Sequence, residues 1–422
     1  MRTRKANYPT PTDGITFSIR PRPQKRVWHT VTILSPRPSK LRRIARREGI
    51  HFCGFDHLPD DLLLSIILAV SSSADKPCDL VNTMLTCRRF CAAATHQQVL
   101  ANASAAALAV RACNWSDGAH RFLKQCADAG NKEACYVLGM ILFYCIRNRG
   151  GGASLMAKAA VASHSAALHS LAVIQFNGSG GIRKDKDLKA GVALCARAAA
   201  LGHVDAMREL GHCLQDGYGV TKNIVEGRRL LLEANAREAA AAVAASPRRF
   251  VETTLKMSAN CTAVRCLHHH LYYHQVLYKS NTVLCSAVEH PSFSSPTLDR
   301  LHVHRFVQGG GCSLLSDFGC NVPPPKLHVA HRFLVDWFMH NPPTGLKLCS
   351  HGNCGRPETR RHEFRRCSAC GTVNYCSRAC QALDWKIRHK QECTPTANWE
   401  DLEGNDVAED AAERILNEIE DF

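Results

Sequence analysis

The sequence predicts a mainly α-helical fold: an array of stacked helical pairs, followed by a small module held together by two metal ions. Three observations indicate it. A pattern of small residues recurs between residues 119 and 240, at fixed places in each copy. Seven cysteines lie within 45 residues near the end of the chain, with a histidine four residues before the last of them. A leucine-rich amphipathic stretch lies near residue 60. A chain of 422 residues has room for about two to four domains.

Composition excludes several classes of protein. The chain carries 53 Lys and Arg against 37 Asp and Glu, a net charge of +16, and 22 cysteines. The Arg-rich start lacks the apolar core of a secretory signal, so we expect an intracellular protein of nucleus or cytoplasm with reduced or metal-bound cysteines. The longest apolar run, Leu62 to Val70, is far shorter than the ~20 residues of a membrane helix. We therefore expect no membrane association.

Residues 1–50 are rich in Arg, Lys and Pro and have no hydrophobic period. They predict a basic disordered arm. The cluster from Lys40 to Arg47 fits either a nuclear-import signal or a solvating tail.

Residues 55–100 predict a small helical module. Pro59 with Asp60 and Asp61 suits a helix start. Leu62, Ile66, Ile67 and Val70 fit one helical face, and a second apolar set follows at Leu80, Val81, Met84 and Leu85. Such a short module cannot bury its apolar faces without a partner or a neighbouring domain.

This stretch resembles the F-box, with Leu58-Pro59 at its opening and Leu85 to Phe90 at its end. The resemblance implies docking on the Skp adaptor of cullin-based ubiquitin ligases. Leu58, Pro59, Leu62 and Ile66 are then the expected adaptor contacts. The alternative is an ordinary bundle helix.

Residues 105–245 predict a helical array. Ala134-x3-Leu138-Gly139 recurs at Ala167 and at Ala206, offsets of 33 and 39 residues, and such periods mark stacked helical pairs. The copies resemble Sel-like repeats, relatives of the tetratricopeptide repeat, with loop glycines at Gly178, Gly180, Gly217 and Gly219. The resemblance implies a protein-binding surface; a helical spacer is the alternative.

Residues 246–310 lose that pattern and contain scattered His, Cys, Ser and Tyr. They predict an unstructured insertion or, because disordered segments are usually depleted in Cys and Tyr, the product of a faulty gene model. Residues 311–345 then predict a linker with a short apolar helix around Phe333 to Phe338, ended by Pro342 and Pro343.

Residues 346–394 hold the strongest motif. Eight soft ligands are the number that two closed tetrahedral zinc sites require, so neither ion has an open position for catalysis. The ligands are Cys349, Cys354, Cys367, Cys370, Cys376, Cys380, His389 and Cys393. The module is too short for a core of its own, so metal binding should supply much of its folding free energy.

The order of ligands resembles the MYND finger, a cross-brace of two interleaved sites. The resemblance implies that Cys349, Cys354, Cys376 and Cys380 bind one zinc ion and that Cys367, Cys370, His389 and Cys393 bind the second. His351 is an alternative ligand in the first. Such fingers bind short, often proline-rich peptides, and the resemblance places Gln381 and Trp385 in that groove. A packing role is the alternative for Trp385.

Residues 395–422 predict an acidic tail. The order of modules resembles plant F-box proteins with Sel-like repeats and a C-terminal MYND finger. This implies a non-catalytic substrate receptor of a Skp-cullin-F-box ubiquitin ligase, with a target bound by repeats and finger. The alternatives are a ligase-independent nuclear adaptor or transcriptional cofactor, a lysine methyltransferase, for which no catalytic segment is found, and a nucleic-acid binder, for which no base-reading motif is found.

Overall fold

The computed structural model describes residue 55 and residues 57–245 and 327–395, the side chains of 242–245 excepted. These residues belong to one compact unit and are predominantly helical, as the sequence predicts. The basic arm of 1–50, the insertion of 246–310 and almost all of the acidic tail lie outside the described residues.

The N-terminal module consists of α1 (Asp60–Ser73), α2 (Pro77–Thr86), α3 (Arg88–Ala94) and α4 (Gln97–Ala101). Its core contains Leu63, Ile67 and Leu80. The sequence assignment of Leu62 and Ile66 to the same face as Ile67 was wrong: these two side chains are 49% and 43% exposed. Helical positions 63 and 67 share a face, and 62 and 66 share the next one round the helix.

The helical array follows directly. After a 3-10 turn at Ala112–Asn114 come α5 (Asp117–Asp128) and three helical pairs. The pairs are α6 (Lys132–Met140) with α7 (Arg149–Val161), α8 (Ser165–Asn177) with α9 (Leu188–Ala200), and α10 (Val204–Asp216) with α11 (Ile224–Ala245). A π-helical turn, Ile141–Cys145, extends α6, and a 3-10 turn, Arg183–Asp185, precedes α9.

Glycines set how closely the helices of a pair approach. A Cβ added to Gly227 would lie 2.6 Å from the carbonyl oxygen of Gly211, and one added to Gly152 would lie 2.7 Å from that of Gly139. Both pairs therefore cross backbone against backbone. This is the physical reason for the small residues that recur in the sequence.

The N-terminal module is joined to the array through buried polar contacts. The side-chain amide of Asn131, at the start of α6, donates to the carbonyl oxygens of Leu100 at 3.0 Å and Ala103 at 2.9 Å. The Ser104 hydroxyl donates to the Ala74 carbonyl oxygen at 2.6 Å.

The chain then returns to the first pair of the array. Helix α12 (Val329–His340) packs on α6 and its π-helical turn. Ala330, Phe333 and Leu334 are fully buried there, and the Phe333 ring meets Trp115 edge-on at 5.4 Å. The predicted short helix is therefore part of the main core of the array.

The C-terminal module has a short antiparallel hairpin, β1 (Arg365–Arg366) and β2 (Asn374–Tyr375). Helix α13 (Arg378–Asp384) follows, continued by a π-helical turn at Trp385–His389 and by α14 (Lys390–Glu392). Ser377 caps α13 by accepting the Cys380 N–H at 3.1 Å. None of the helices in the described residues has both the length and the hydrophobicity of a membrane-spanning helix.

Candidate metal centre and the surfaces around it

The first ligand cluster gathers Cys349, Cys354, Cys376 and Cys380, all buried, with their sulfur atoms within 4.8 Å of one another. The Sγ atom of Cys376 lies 3.5 Å from that of Cys354 and 3.6 Å from that of Cys380. Cys376 follows β2 and Cys380 lies in the first turn of α13, so the hairpin and the helix cap together fix this pair.

The second ligand cluster gathers Cys367, Cys370, His389 and Cys393. The Sγ atoms of Cys367 and Cys393 are 4.0 Å apart, and Nε2 of His389 lies 3.5 Å from Sγ of Cys370. The π-helical turn ends at His389, and this turn brings the imidazole over the hairpin.

Both clusters have the dimensions of a tetrahedral zinc site. With Zn–S bonds of about 2.3 Å and Zn–N bonds of about 2.0 Å, neighbouring ligand atoms stand roughly 3.5–3.8 Å apart. Three of the four separations given above lie in that range, and the fourth, 4.0 Å between the Sγ atoms of Cys367 and Cys393, is slightly longer. Each cluster offers four soft donors, which fit a closed structural site. His351 is buried, but the first cluster is complete without it.

The thiols of the first cluster differ in pKa. Hydrogen bonds from Cys349, Cys376 and Cys380 hold the pKa of the Cys354 thiol well below its ordinary value. Burial raises the pKa of Cys349, and hydrogen bonds from the neighbouring thiols raise that of Cys380. Inside the array, burial raises the pKa of Cys126 and Cys213 to about 12, as expected for inert core thiols.

Two further groups of histidines and carboxylates bring possible ligand atoms together: Glu133, His164 and His328, and His169, His203 and Asp205. In His164 and His328, Nδ1 accepts a backbone N–H at the start of a helix. The neutral ring then carries its proton on Nε2, which lies 2.9 Å from a Glu133 oxygen in both cases.

The same holds for His203, whose Nδ1 accepts the Ala206 N–H. No lone pair is left on Nε2 for a metal in any of these three rings. Burial would raise the pKa of the Glu133 carboxyl, but hydrogen bonds from His164 and His328 lower it to about 2. The first group links the array to the start of α12 by hydrogen bonds, and His203 of the second group caps α10.

The C-terminal module lies on the first helices of the pairs, α8 and α10. Val173 of α8 belongs to the same apolar cluster as Cys349, Phe364 and Tyr375. The Asn177 amide donates to the Cys376 carbonyl oxygen at 2.8 Å, and the Ala379 N–H donates to Glu209 at 2.8 Å. The array therefore supplies part of the core that the module lacks.

Charged side chains extend this contact. The Arg360 guanidinium donates to the carbonyl oxygens of Asn177 at 2.6 Å and Gly178 at 3.1 Å. Arg378 pairs with Asp216, and Lys386 pairs with Glu238 of α11. Sequence reasoning missed all of these residues, because charged positions on an amphipathic helix are normally solvated and only their burial distinguishes them.

Arg356 is the most deeply buried of these charged groups, at 2% exposure. Its Nη1 atom lies 3.6 Å from Sγ of Cys354 and 3.8 Å from Sγ of Cys376, and its Nη2 donates to the Ser170 hydroxyl at 2.8 Å. Burial by itself would lower the pKa of Arg356, but the charges of Cys354 and Cys376 raise it well above its usual value.

The two predicted peptide-binding residues lie on α13 and on the π-helical turn that continues it. Gln381 and Trp385 are one helical turn apart and both half-buried, and the Trp385 ring meets His389 edge-on at 5.7 Å. The predicted packing role beside the second cluster and a role in a groove are both compatible with this placement.

The four predicted adaptor contacts differ in their exposure to solvent. Leu58 is half-buried and packs on the core of the N-terminal module, whereas Pro59, Leu62 and Ile66 are exposed. On α2, Val81 is 40% and Leu85 76% exposed. The module thus places apolar side chains in solvent on two of its helices.

An array of helical pairs joined to a two-cluster thiolate module defines a repeat protein with a zinc-finger type of metal module. Three family models match: plant tetratrico peptide repeats over residues 107–190, the Sel1 repeat over 204–237 and the MYND finger over 349–393.

Two F-box proteins of Arabidopsis thaliana are similar over most of their length. One is 54% identical across 84% of this chain and 83% of its own, and the other is 48% identical across 82% and 86%. The chain belongs to this family of F-box proteins. Among solved structures, a Sel1 repeat protein from Oxalobacter formigenes aligns at 23% identity over 27% of this chain and 86% of its own, with a TM-score of 0.25, an overlap too limited to support any argument.

Proposed function

We propose that this chain is the substrate-recognition subunit of a Skp-cullin-F-box ubiquitin ligase. The observation that carries the proposal is the exposed apolar surface of the N-terminal module, formed by Leu62 and Ile66 of α1 with Val81 and Leu85 of α2. Family membership supports the same conclusion. Exposed leucine and isoleucine side chains on neighbouring helices are what a partner protein covers in a stable complex.

The chain brings no reaction of its own in this proposal. Its role is to hold a target beside the ligase, in nucleus or cytoplasm, while partner subunits transfer ubiquitin. Both zinc ions are structural, because each cluster of four protein ligands leaves no position for a substrate.

The target should bind on surfaces that the chain leaves open. The first helices of the second and third pairs, α8 and α10, are covered by the C-terminal module. We therefore assign target binding to that module, near the half-buried Gln381 and Trp385, with a short proline-rich segment as ligand.

Capture of a recombinant Skp-type adaptor tests the ligase assignment. We expect the full chain to retain the adaptor and the affinity of Leu62→Asp/Ile66→Asp to fall by at least about 30-fold, since two desolvated anchors contribute about 1–3 kcal/mol each. Leu58 is unsuitable for this test because it also packs inside the module.

The matched control is Val161→Asp, an 81% exposed valine on α7. It should leave capture unchanged. Capture by Leu62→Asp/Ile66→Asp at the level of the unaltered chain would reject the ligase assignment and favour the second candidate function, a ligase-independent nuclear adaptor or transcriptional cofactor acting through the finger.

A further inference from the structure

Arg356 lies at the point where the first ligand cluster meets the helical array. It belongs to the C-terminal module, yet its Nη2 donates to Ser170 in the middle of α8. The Ser170 hydroxyl also lies 3.1 Å from the Tyr136 hydroxyl of α6. A single guanidinium therefore contacts two metal-binding thiols and a hydrogen-bonded pair inside the array.

The charge of this guanidinium is compensated in an unusual way. Among the described residues, no carboxylate forms an ion pair with Arg356; its polar partners are Cys354, Cys376 and Ser170. An uncompensated buried charge is strongly destabilising. Nη1 of Arg356 depends on the sulfur atoms of Cys354 and Cys376 as acceptors, and a zinc ion that binds both sulfur atoms fixes their positions beside the guanidinium.

We propose that zinc binding at the first cluster and docking of the C-terminal module on the array are coupled through Arg356. Loss of this zinc frees the two sulfur acceptors of a buried guanidinium to move, so the module separates from α8 and uncovers the face of the array beneath it. By reciprocity, weakening the contact from the array side weakens zinc binding. The inference rests on zinc binding by the finger and is independent of the adaptor.

The second ligand cluster provides an internal reference. Its thiols hydrogen-bond within the finger: Cys367 with Cys393, and Cys370 with Thr372 and His389. A substitution at Ser170 should therefore change zinc binding at the first cluster and not at the second.

The test is timed release of zinc to a chromogenic chelator from the full chain. The decisive variant is Ser170→Ala, because it alters the array and leaves every residue of the finger in place. We expect two zinc ions per chain, with release of one ion accelerated 10- to 100-fold, the usual effect of removing a partner outside the ligand set. Arg356→Met should accelerate the same ion at least as much.

The matched control is Ser71→Ala, a fully buried serine of α1 that donates to the Val99 carbonyl oxygen. It should leave both release rates unchanged. Unchanged release from Ser170→Ala, or equal acceleration of both ions, would overturn the coupling. Fewer than two zinc ions in the unaltered chain would instead overturn the premise of zinc binding.

Hydrogen exchange gives a second readout should Arg356→Met fail to fold. Cys349→Ser disables the first cluster and keeps the backbone hydrogen bond from the Cys349 N–H to the Arg356 carbonyl oxygen, at 2.9 Å. Amides of α8 should then exchange at least tenfold faster than in the unaltered chain, because their covering module has separated. Retained protection of α8 in this variant contradicts the proposal.

Discussion

At the scale of single residues, the most consequential side chains are buried charges. Glu238 of α11 receives two cations at once: Nη2 of Arg208 lies 2.7 Å from its carboxylate, and Lys386 of the finger pairs with it as well. All three side chains are at most 8% exposed. The desolvation of each depends on the presence of the others.

The first prediction follows from this group. Glu238→Ala leaves two buried cations without their counter-charge and should lower the free energy of unfolding by about 3–5 kcal/mol. Chemical denaturation of the zinc-loaded chain measures it. Glu233→Ala, on the same helix, removes half-exposed pairs with Arg229 and Arg237 and should cost no more than about 1 kcal/mol. Similar losses for the two variants would contradict the argument.

Some of the functional residues could be predicted from the sequence and others could not. The eight ligands follow from their spacing, because metal ligands must be close along a short chain, whereas their division between two ions was implied by the resemblance to the MYND finger. The burial of Arg356, Glu209 and Glu238 could not be predicted in this way. The local sequence does not distinguish a buried charged residue from the solvated charged residues beside it. In α1, the hydrophobic period predicted the helix but assigned Leu62 and Ile66 to the buried face. Apolar residues occupy two neighbouring faces of this helix, and the sequence alone does not distinguish the buried face from the exposed one.

At the scale of elements, pairs of helices are spaced by glycine. In the third pair the Gly227 position meets the Gly211 carbonyl oxygen, the Gln215 backbone nitrogen and the Gln215 side chain. Two of these three contacts are backbone atoms, so rotating neighbouring side chains would not make room for a Cβ atom at position 227.

The second prediction uses that contact. Gly227→Ala should separate α10 from α11 and lower the free energy of unfolding by about 1–3 kcal/mol, the usual effect of overpacking. Gly150→Ala in α7 is the control, because nothing lies within 4 Å of its added Cβ; there the higher helix propensity of alanine should stabilise by up to about 1 kcal/mol. Thermal unfolding compares them, and destabilisation by both variants would contradict the prediction.

At the scale of the whole molecule, the path of the chain matters. Helix α11 ends the array at Ala245, whereas α12 begins at Val329 and packs on the first pair. The connection must therefore reach back along the array. If residues 246–308 were absent, residues 309–326 would remain, and eighteen residues can extend about 60 Å, which is enough for an array of three pairs with helices about 10 Å apart.

The third prediction follows from that length. Deleting residues 246–308 should leave adaptor capture and the two zinc ions unchanged, with a midpoint of thermal unfolding within a few degrees of the full chain, because loop length enters stability only logarithmically. A deletion of 246–322 serves as the comparison, since four residues reach only about 13 Å and cannot make the connection. Loss of zinc in the shorter deletion would show that the segment has a structural role.

The return of α12 to the first pair also has a consequence for synthesis on the ribosome. The array is finished when residue 245 emerges, but the last zinc ligand is residue 393, and at about 5–20 residues per second the interval is roughly 7–30 seconds. Throughout that time the site of Phe333 and the polar face that receives Arg356 are bare on a nascent chain. Chaperone binding in this window should be concentrated on α6 and α8, and zinc supply should determine how soon it ends.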